Sequence, residues 1–468
     1  MRPFAAVEAA PRHAVRRTGI LLGLVTAPAS VAIGAASVAL PTIASSLHGS
    51  FGSTAWVIAA WALGAAVSMP LMGRAAQRNG VRATLIAAAA MLTFGSVLAA
   101  LGPSLLVIVI GRLIGGLGAG GTVISVYRYV DHVFTGADRT TALSIVAACV
   151  ATTSGMGTLV GGVLTEFAGW RWTLAVPALV VAPLLPAARR APSAHEAHVG
   201  IDVLGAALLS AMGASLITLL QAQSTHMSPM WIALLLTIAL LSIAALVLRI
   251  HRRPEGFVPR SVIATRGFVP AGIIGLSLGA GYYGVLTAAP HLLEGGSHLS
   301  ALAVGVALMP AAAAAVLTGR ILAKLSDRIP EWRTSAFLGM FSATGAVVIA
   351  VLPQSTAAII VGVALGTVGF AGAQIVLVEL IPRLVPDGQQ AIAQGLFSFL
   401  LFGGGSIGPA LIGGLSAFPV HVALAAVAAL ALLGMALSVT VRPGSAVVRH
   451  PALPTARSGA STGGQGMS

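Results

Sequence analysis

Apolar residues fall along this chain in long unbroken stretches, and polar residues gather between them. Fourteen such stretches stand out: 18–42, 54–73, 83–102, 104–127, 143–165, 172–188, 201–221, 230–250, 267–290, 300–322, 334–352, 355–381, 391–415 and 418–441. About 20 apolar residues in a helix, each rising ~1.5 Å, cross a hydrocarbon layer ~30 Å thick. Each stretch therefore predicts one spanning helix, and the fold class is an all-α polytopic membrane protein.

The polar positions between the stretches alternate in charge. Alternate loops carry Arg74, Arg78 and Arg82; Arg128 and Arg139; Arg189 and Arg190; Arg249, Arg252, Arg253, Arg260 and Arg266; Arg320, Lys324, Arg328 and Arg333; then Arg383. The intervening loops hold only Arg171. Lys and Arg beside spans stay cytoplasmic, so both termini are expected inside. Arg12, Arg16 and Arg17 precede a first stretch too long for a signal-peptide core, which predicts a retained helix.

Composition narrows the class further. Hydrophobic residues make up 57% and charged residues 8%, against about 25% charged in soluble domains. The net charge of +14 sits at helix ends near lipid headgroups rather than in one stripe, so nucleic acid is not the expected partner. The one cysteine, Cys149, lies in an apolar stretch, which leaves no disulfide framework and no cysteine metal site. All but one of the 26 Lys and Arg residues are Arg. With the high Ala content, this points to a GC-rich bacterial genome and a bacterial plasma membrane.

Domain organisation follows from loop lengths. A head (1–17) precedes a six-helix bundle (18–188). A linker (189–266) contributes two extra spans, a second six-helix bundle (267–441) follows, and a Ser/Gly/Pro-rich tail (442–468) is expected to be disordered. The bundles look like repeats. The turn Gly73-Arg-Ala-Ala-Gln77-Arg78-Asn-Gly80-Val-Arg82 is answered by Leu325-Ser-Asp327-Arg328-Ile-Pro330-Glu-Trp-Arg333. Gly111, Gly115, Gly116, Gly118, Gly120 and Gly121 are answered by Gly362, Gly366, Gly369 and Gly372. Gly157, Gly161 and Gly162 are answered by Gly408, Gly413 and Gly414. Parallel repeats of this kind are one transporter architecture.

Several strings carry a family resemblance. They are Ala39-Leu40-Pro41-Thr42-Ile43, Ala55-Trp56-Val57, Gly73 to Arg82, Arg112 with its glycines, Gly157 to Gly162, Gly169-Trp170-Arg171-Trp172 and Asp202-Val-Leu-Gly205. In this order and spacing the chain resembles the major facilitator superfamily, in its fourteen-helix drug–proton antiporter branch. The resemblance implies multidrug efflux or antibiotic resistance by a monomer in lipid, with a small-molecule substrate, protons as coupling ion and no cofactor. It departs from the branch at three positions: Ala32 where an Asp is usual, Gln77 where the loop motif has an acid, and Thr158 where the fifth-helix motif has Pro.

Arg112 is the deepest charge, about 12 Å in by helix rise. Placing it there costs at least ~2.5–3.5 kcal/mol without water or a partner, so it is expected to face a central cavity, as a substrate contact or a charge that senses a nearby carboxylate. The alternative is a structural Arg bonded to backbone carbonyls. Ser37, Trp61, Tyr282, Tyr283 and Gln374 are the other expected cavity residues, with interhelical bonding as their alternative. No stretch has an acid at its middle. Glu166 and Glu294, at predicted outer ends, are the first candidates to carry a proton; Asp131, Glu379, His291 and His421 lie near other ends. Gly73, Arg78, Gly80, Arg82, Asp327 and Arg328 are expected to latch the inner gate, or merely to set topology. Paired acids, phosphate loops and nucleophile elbows are absent from the sequence, which argues against an enzyme. The functions in contention are therefore a secondary exporter working by alternating access, a uniporter or anion exchanger without proton coupling, and a non-transporting sensor on a transporter fold.

Overall fold

The computed structural model describes residues 11–192, 202–253, 256, 258–325, 331–386 and 389–438. The predicted tail lies outside these, as do the gating candidates Asp327 and Arg328. The described residues form helices and connecting turns, with no strand among them.

Eleven described helices are long and apolar enough to cross a membrane, or twelve when a pair bent by 42° at Met156 is taken as one span. That pair, Gly136–Gly155 and Gly157–Phe167, is the expected fifth span. Its bend falls between two glycines, a usual place for a kink. Val203–Leu220, of 18 residues, and Glu331–Val351, of 21, are further apolar helices at the expected seventh and eleventh positions. Spans keep their predicted ordinals below.

The first helix runs Arg12–Ser46, so it starts inside the predicted head. Pro11 sets φ at −54° and has no N–H to leave unbonded, which favours a helix start immediately after it. Arg12, Arg16 and Arg17 ride on its first two turns.

Glycine-mediated packing repeats in the two halves. A Cβ on Gly161 of the fifth span would come within 2.5 Å of the Ala35 carbonyl of the first. On Gly408 of the thirteenth it would come within 2.1 Å of the Ala280 carbonyl of the ninth. Gly95 meets Gly111 and Gly115 between the third and fourth spans, as Gly345 meets Gly362 and Gly366 between the eleventh and twelfth. Small residues let backbones approach this closely in lipid, where packing replaces the hydrophobic effect as the driving force.

A second repeat escaped the sequence reading. His48 and His298 both end a span in the left-handed region (φ 52° each), and the Ser two residues later caps the next helix. Ser50 accepts from the Ser53 amide at 3.1 Å and Ser300 from the Ala303 amide at 3.4 Å. The signal was His-x-Ser, once per half and once more at His226-Met-Ser228 in the linker.

Candidate functional site

The two halves meet along two matched crossings at the Arg-poor end. At one, a Cβ on Gly162 (fifth span) would lie 2.6 Å from the Ala301 carbonyl, and one on Gly305 (tenth span) 2.6 Å from the Thr158 carbonyl. At the other, a Cβ on Gly413 (thirteenth span) would lie 2.6 Å from the Gly52 carbonyl and 2.9 Å from the Ala55 side chain, at the start of the second. Between them, Val38 of the first span joins Val285, Ala288 and Ala289 of the ninth in one buried cluster. Phe51 stacks on His291 at 3.9 Å between ring centroids. The Arg-poor end is closed.

Toward the Arg-rich end lies the Gly136–Gly155 part of the bent fifth span. Every exposed residue from Thr140 to Ser154 is Thr, Ser or Ala. A face turned to lipid would carry large apolar side chains, whereas small hydroxylated residues suit water.

Arg112 does not face this surface. It is 1% exposed, in the helix Leu105–Val133. Its Nε donates to the Val57 carbonyl at 2.9 Å and its Nη2 to the Ala32 carbonyl at 3.3 Å. Its guanidinium carbon lies 4.1 Å from the centroid of the Trp61 ring. The expected cavity Arg is thus the carbonyl-bonded one. Two carbonyl dipoles and an aromatic face supply the partners that a deep cation needs, and among the described residues no carboxylate forms an ion pair with it. The small Ala32 leaves room for that approach. Trp61, 2% exposed, is brought to Arg112 and not to that surface.

Ser37 is also turned inward: wholly buried, it donates to the Gly34 carbonyl of its own helix at 2.8 Å. In the other half, Tyr282, Tyr283 and Phe370 form an aromatic cluster, with Tyr282 stacked on Phe370 at 4.6 Å. Tyr283 is 7% exposed and packs over Gly405; Tyr282 is half-buried. Gln374 is half-buried on the twelfth span, Thr356–Leu384. Phe370 was missed by the sequence reading, one turn before Gln374 on the same helix.

The acids bracket the first crossing. Glu166 lies one turn beyond Gly162, and its Oε2 accepts from the Leu302 amide at 3.5 Å, at the start of the tenth span. Glu294 on the ninth span keeps a buried Oε1 with no protein partner. His291, one turn back on the same helix, turns onto Phe51 instead.

At the Arg-rich end the expected latch is only partly in view. Gly80 ends the second span with φ 83°, a conformation that favours glycine. Gly73 lies beside Ile124 with room to spare, Arg78 is exposed, and the Arg82 amide donates to the Pro192 carbonyl at 3.3 Å. Another set of contacts had not been foreseen. Arg249 binds Asp202 through Nε (2.9 Å) and Nη2 (2.5 Å), and Arg74 Nη2 donates to the Gly256 carbonyl at 2.6 Å. Ser261 donates to Gln389 Oε1 at 2.9 Å. The linker is thereby tied to the second span on one side and to the start of the thirteenth on the other. Among the described residues no cluster of His, Cys, Asp and Glu suits a metal ion.

Residues 22–409 match the family described as Major Facilitator Superfamily. An uncharacterized MFS-type transporter of Mycobacterium tuberculosis is 30% identical over 41% of this chain and 29% of its own length. The multidrug transporter protein MdtP of Bacillus subtilis is 23% identical over 67% of this chain and 59% of its own length. The chain thus covers less than two thirds of either relative. A solved D-xylose-proton symporter superposes with a TM-score of 0.65 at 15% identity, covering 92% of this chain and 98% of that one, a likeness of fold alone.

Proposed function

The chain belongs to the Major Facilitator Superfamily and is a multi-pass membrane transporter, not an enzyme; we propose that it exports small amphipathic organic molecules by alternating access, in exchange for protons. The observation that carries this reading is the difference between the two ends: paired glycine crossings pack the halves together at one, while toward the other the fifth span exposes only Thr, Ser and Ala between Thr140 and Ser154. Rocking the halves about those crossings would reverse the asymmetry, as alternation requires. The name of MdtP, a multidrug transporter, supports export of drug-like molecules. The Arg-rich end is taken as cytoplasmic in a bacterial plasma membrane. Reporter fusions at either terminus should then be active only inside the cell, and external activity at either one would overturn that orientation.

The proton is assigned to Glu294 with Glu166. Each half contributes one carboxylate beside the fifth–tenth crossing: Glu166 reaches the Leu302 amide across it, and Glu294 keeps a buried oxygen without a protein partner. Closing the gate sets the half-buried Glu294 beside the start of the tenth span and Glu166, so Glu294 is the group that would take up a proton from outside on closing and release it on opening. Everted vesicles loaded with a panel of amphipathic dyes provide the test. Accumulation should stop when a protonophore collapses the pH gradient, and Glu294→Gln should reduce gradient-driven accumulation about tenfold while sparing downhill movement. Accumulation that survives collapse would favour the rival exchanger without a proton site, which draws support from Arg112 having carbonyl rather than carboxylate partners. No dye movement in either direction would leave a sensor as the better account.

A further inference from the structure

The two extra helices are usually the part of such a chain with least to explain, yet one of them carries the most exposed contradiction in its packing. The seventh span, Leu204–Leu220, ends at Gln221. That side chain is wholly buried, and neither its Oε1 nor its Nε2 has a hydrogen-bond partner. Its own backbone carbonyl is well served, accepting from the Ser224 and Thr225 hydroxyls at 2.9 and 3.0 Å. The amide alone is stranded. It lies against the second–thirteenth crossing: a Cβ on Gly413 would be 3.2 Å from Gln221 Oε1, beside the Gly52 carbonyl and Ala55.

A primary amide brings two donors and an acceptor with two lone pairs, and burying them unbonded disfavours the state that buries them. The state in question is the one with this crossing shut. Parting Gly413 from Gly52 would bare the amide to water and to the freed carbonyl. The other end of the same helix is anchored: Asp202 caps it through the Gly205 amide at 2.9 Å and is gripped by Arg249. The adjoining linker is held by Arg74 of the second span. The helix therefore cannot simply slide away to relieve its buried amide.

We propose that Gln221 is a gating residue, a polar wedge through which the extra helix pair biases the second–thirteenth crossing toward opening. The pair is thus part of the gate, and the proton-bearing crossing on the opposite side has a neutral counterpart that needs no proton. This inference rests on the alternating-access reading.

The test reads opening of the outer crossing through Val38→Cys, buried in the cluster between the halves, in a Cys149→Ala background. A membrane-impermeant maleimide is added from outside to intact cells. Gln221→Met, close in size and apolar, should slow labelling about tenfold and raise the thermal denaturation midpoint, because the closed state no longer strands an amide; Gln221→Leu should act in the same direction. If the unsubstituted Gln221 background is never labelled, alternating access itself fails and the wedge with it. If it is labelled but both variants label at the same rate or faster, the wedge alone is overturned. Failure of both variants to fold also overturns it, since an apolar group there must be tolerated at least as well as the amide.

Discussion

Arg112→Ala is expected to reduce transport at least about tenfold, with a lower denaturation midpoint and protein still present in the membrane. The reasoning starts from what Arg112 touches: the Val57 carbonyl of the second span, the Ala32 carbonyl of the first and the Trp61 ring. Each carbonyl already ends its own helical bond, so the guanidinium is an extra donor that ties three helices at one point. Hydrogen bonds to a charged group contribute about 1.5–3 kcal/mol each, and a desolvated cation–π contact about 2 kcal/mol. Their sum is not simply additive. Losing even one is enough to change the balance between states tenfold, since that takes about 1.4 kcal/mol.

Variants separate a clamp from a substrate contact. Arg112→Met keeps length without charge, and Arg112→Lys keeps charge without the fork that reaches two carbonyls. A clamp predicts that both lower the midpoint, that Lys recovers only part of the activity, and that the loss is the same for every substrate. Loss confined to anionic substrates, with an unchanged midpoint, would return Arg112 to the role first inferred for it. Transport at the native rate in Arg112→Ala would remove it from the mechanism altogether.

The sequence carried the fold well because lipid leaves the backbone few choices: a stretch that cannot bond to water must bond to itself as a helix. The sequence left the two readings of Arg112 open for an identifiable reason. Insertion cost says that a deep cation needs partners, not which ones, and the partners were carbonyls and a ring that no pattern of residues displays. The acids drew notice because an acid near a span is rare. Gln221 did not, because a Gln at a helix end is ordinary until the thirteenth span is seen to pack over it. The crossings were half legible: the glycine runs marked close packing, but not that Gly161 packs within its own half while its neighbour Gly162 packs against the other.

That neighbouring pair sets up the other large effect. Gly162→Ala should hold the outer side open and reduce transport about tenfold or more, while raising outside labelling of Val38→Cys by a similar factor. An added Cβ would stand 2.6 Å from the Ala301 carbonyl and close to Gly305. The obstacle is backbone on both sides, so no side chain can swing away to relieve it. Overpacking of this kind costs roughly 1–3 kcal/mol, and the cost falls only on the state in which the fifth and tenth spans touch. Gly305→Ala, facing the Thr158 carbonyl at 2.6 Å, should behave alike. Gly161→Ala should not, because its Cβ would strike Ala35 within the first half; it should lower the amount of folded protein and leave the labelling rate of what remains unchanged. Gly403→Ala, with nothing within 4 Å, should match the parent in both assays. The signs oppose those expected for Gln221→Met, so combining it with Gly162→Ala should bring labelling part of the way back. If Gly162→Ala instead slows labelling, or leaves transport intact, the fifth–tenth contact is not the closed gate and the direction of rocking inferred from it is wrong.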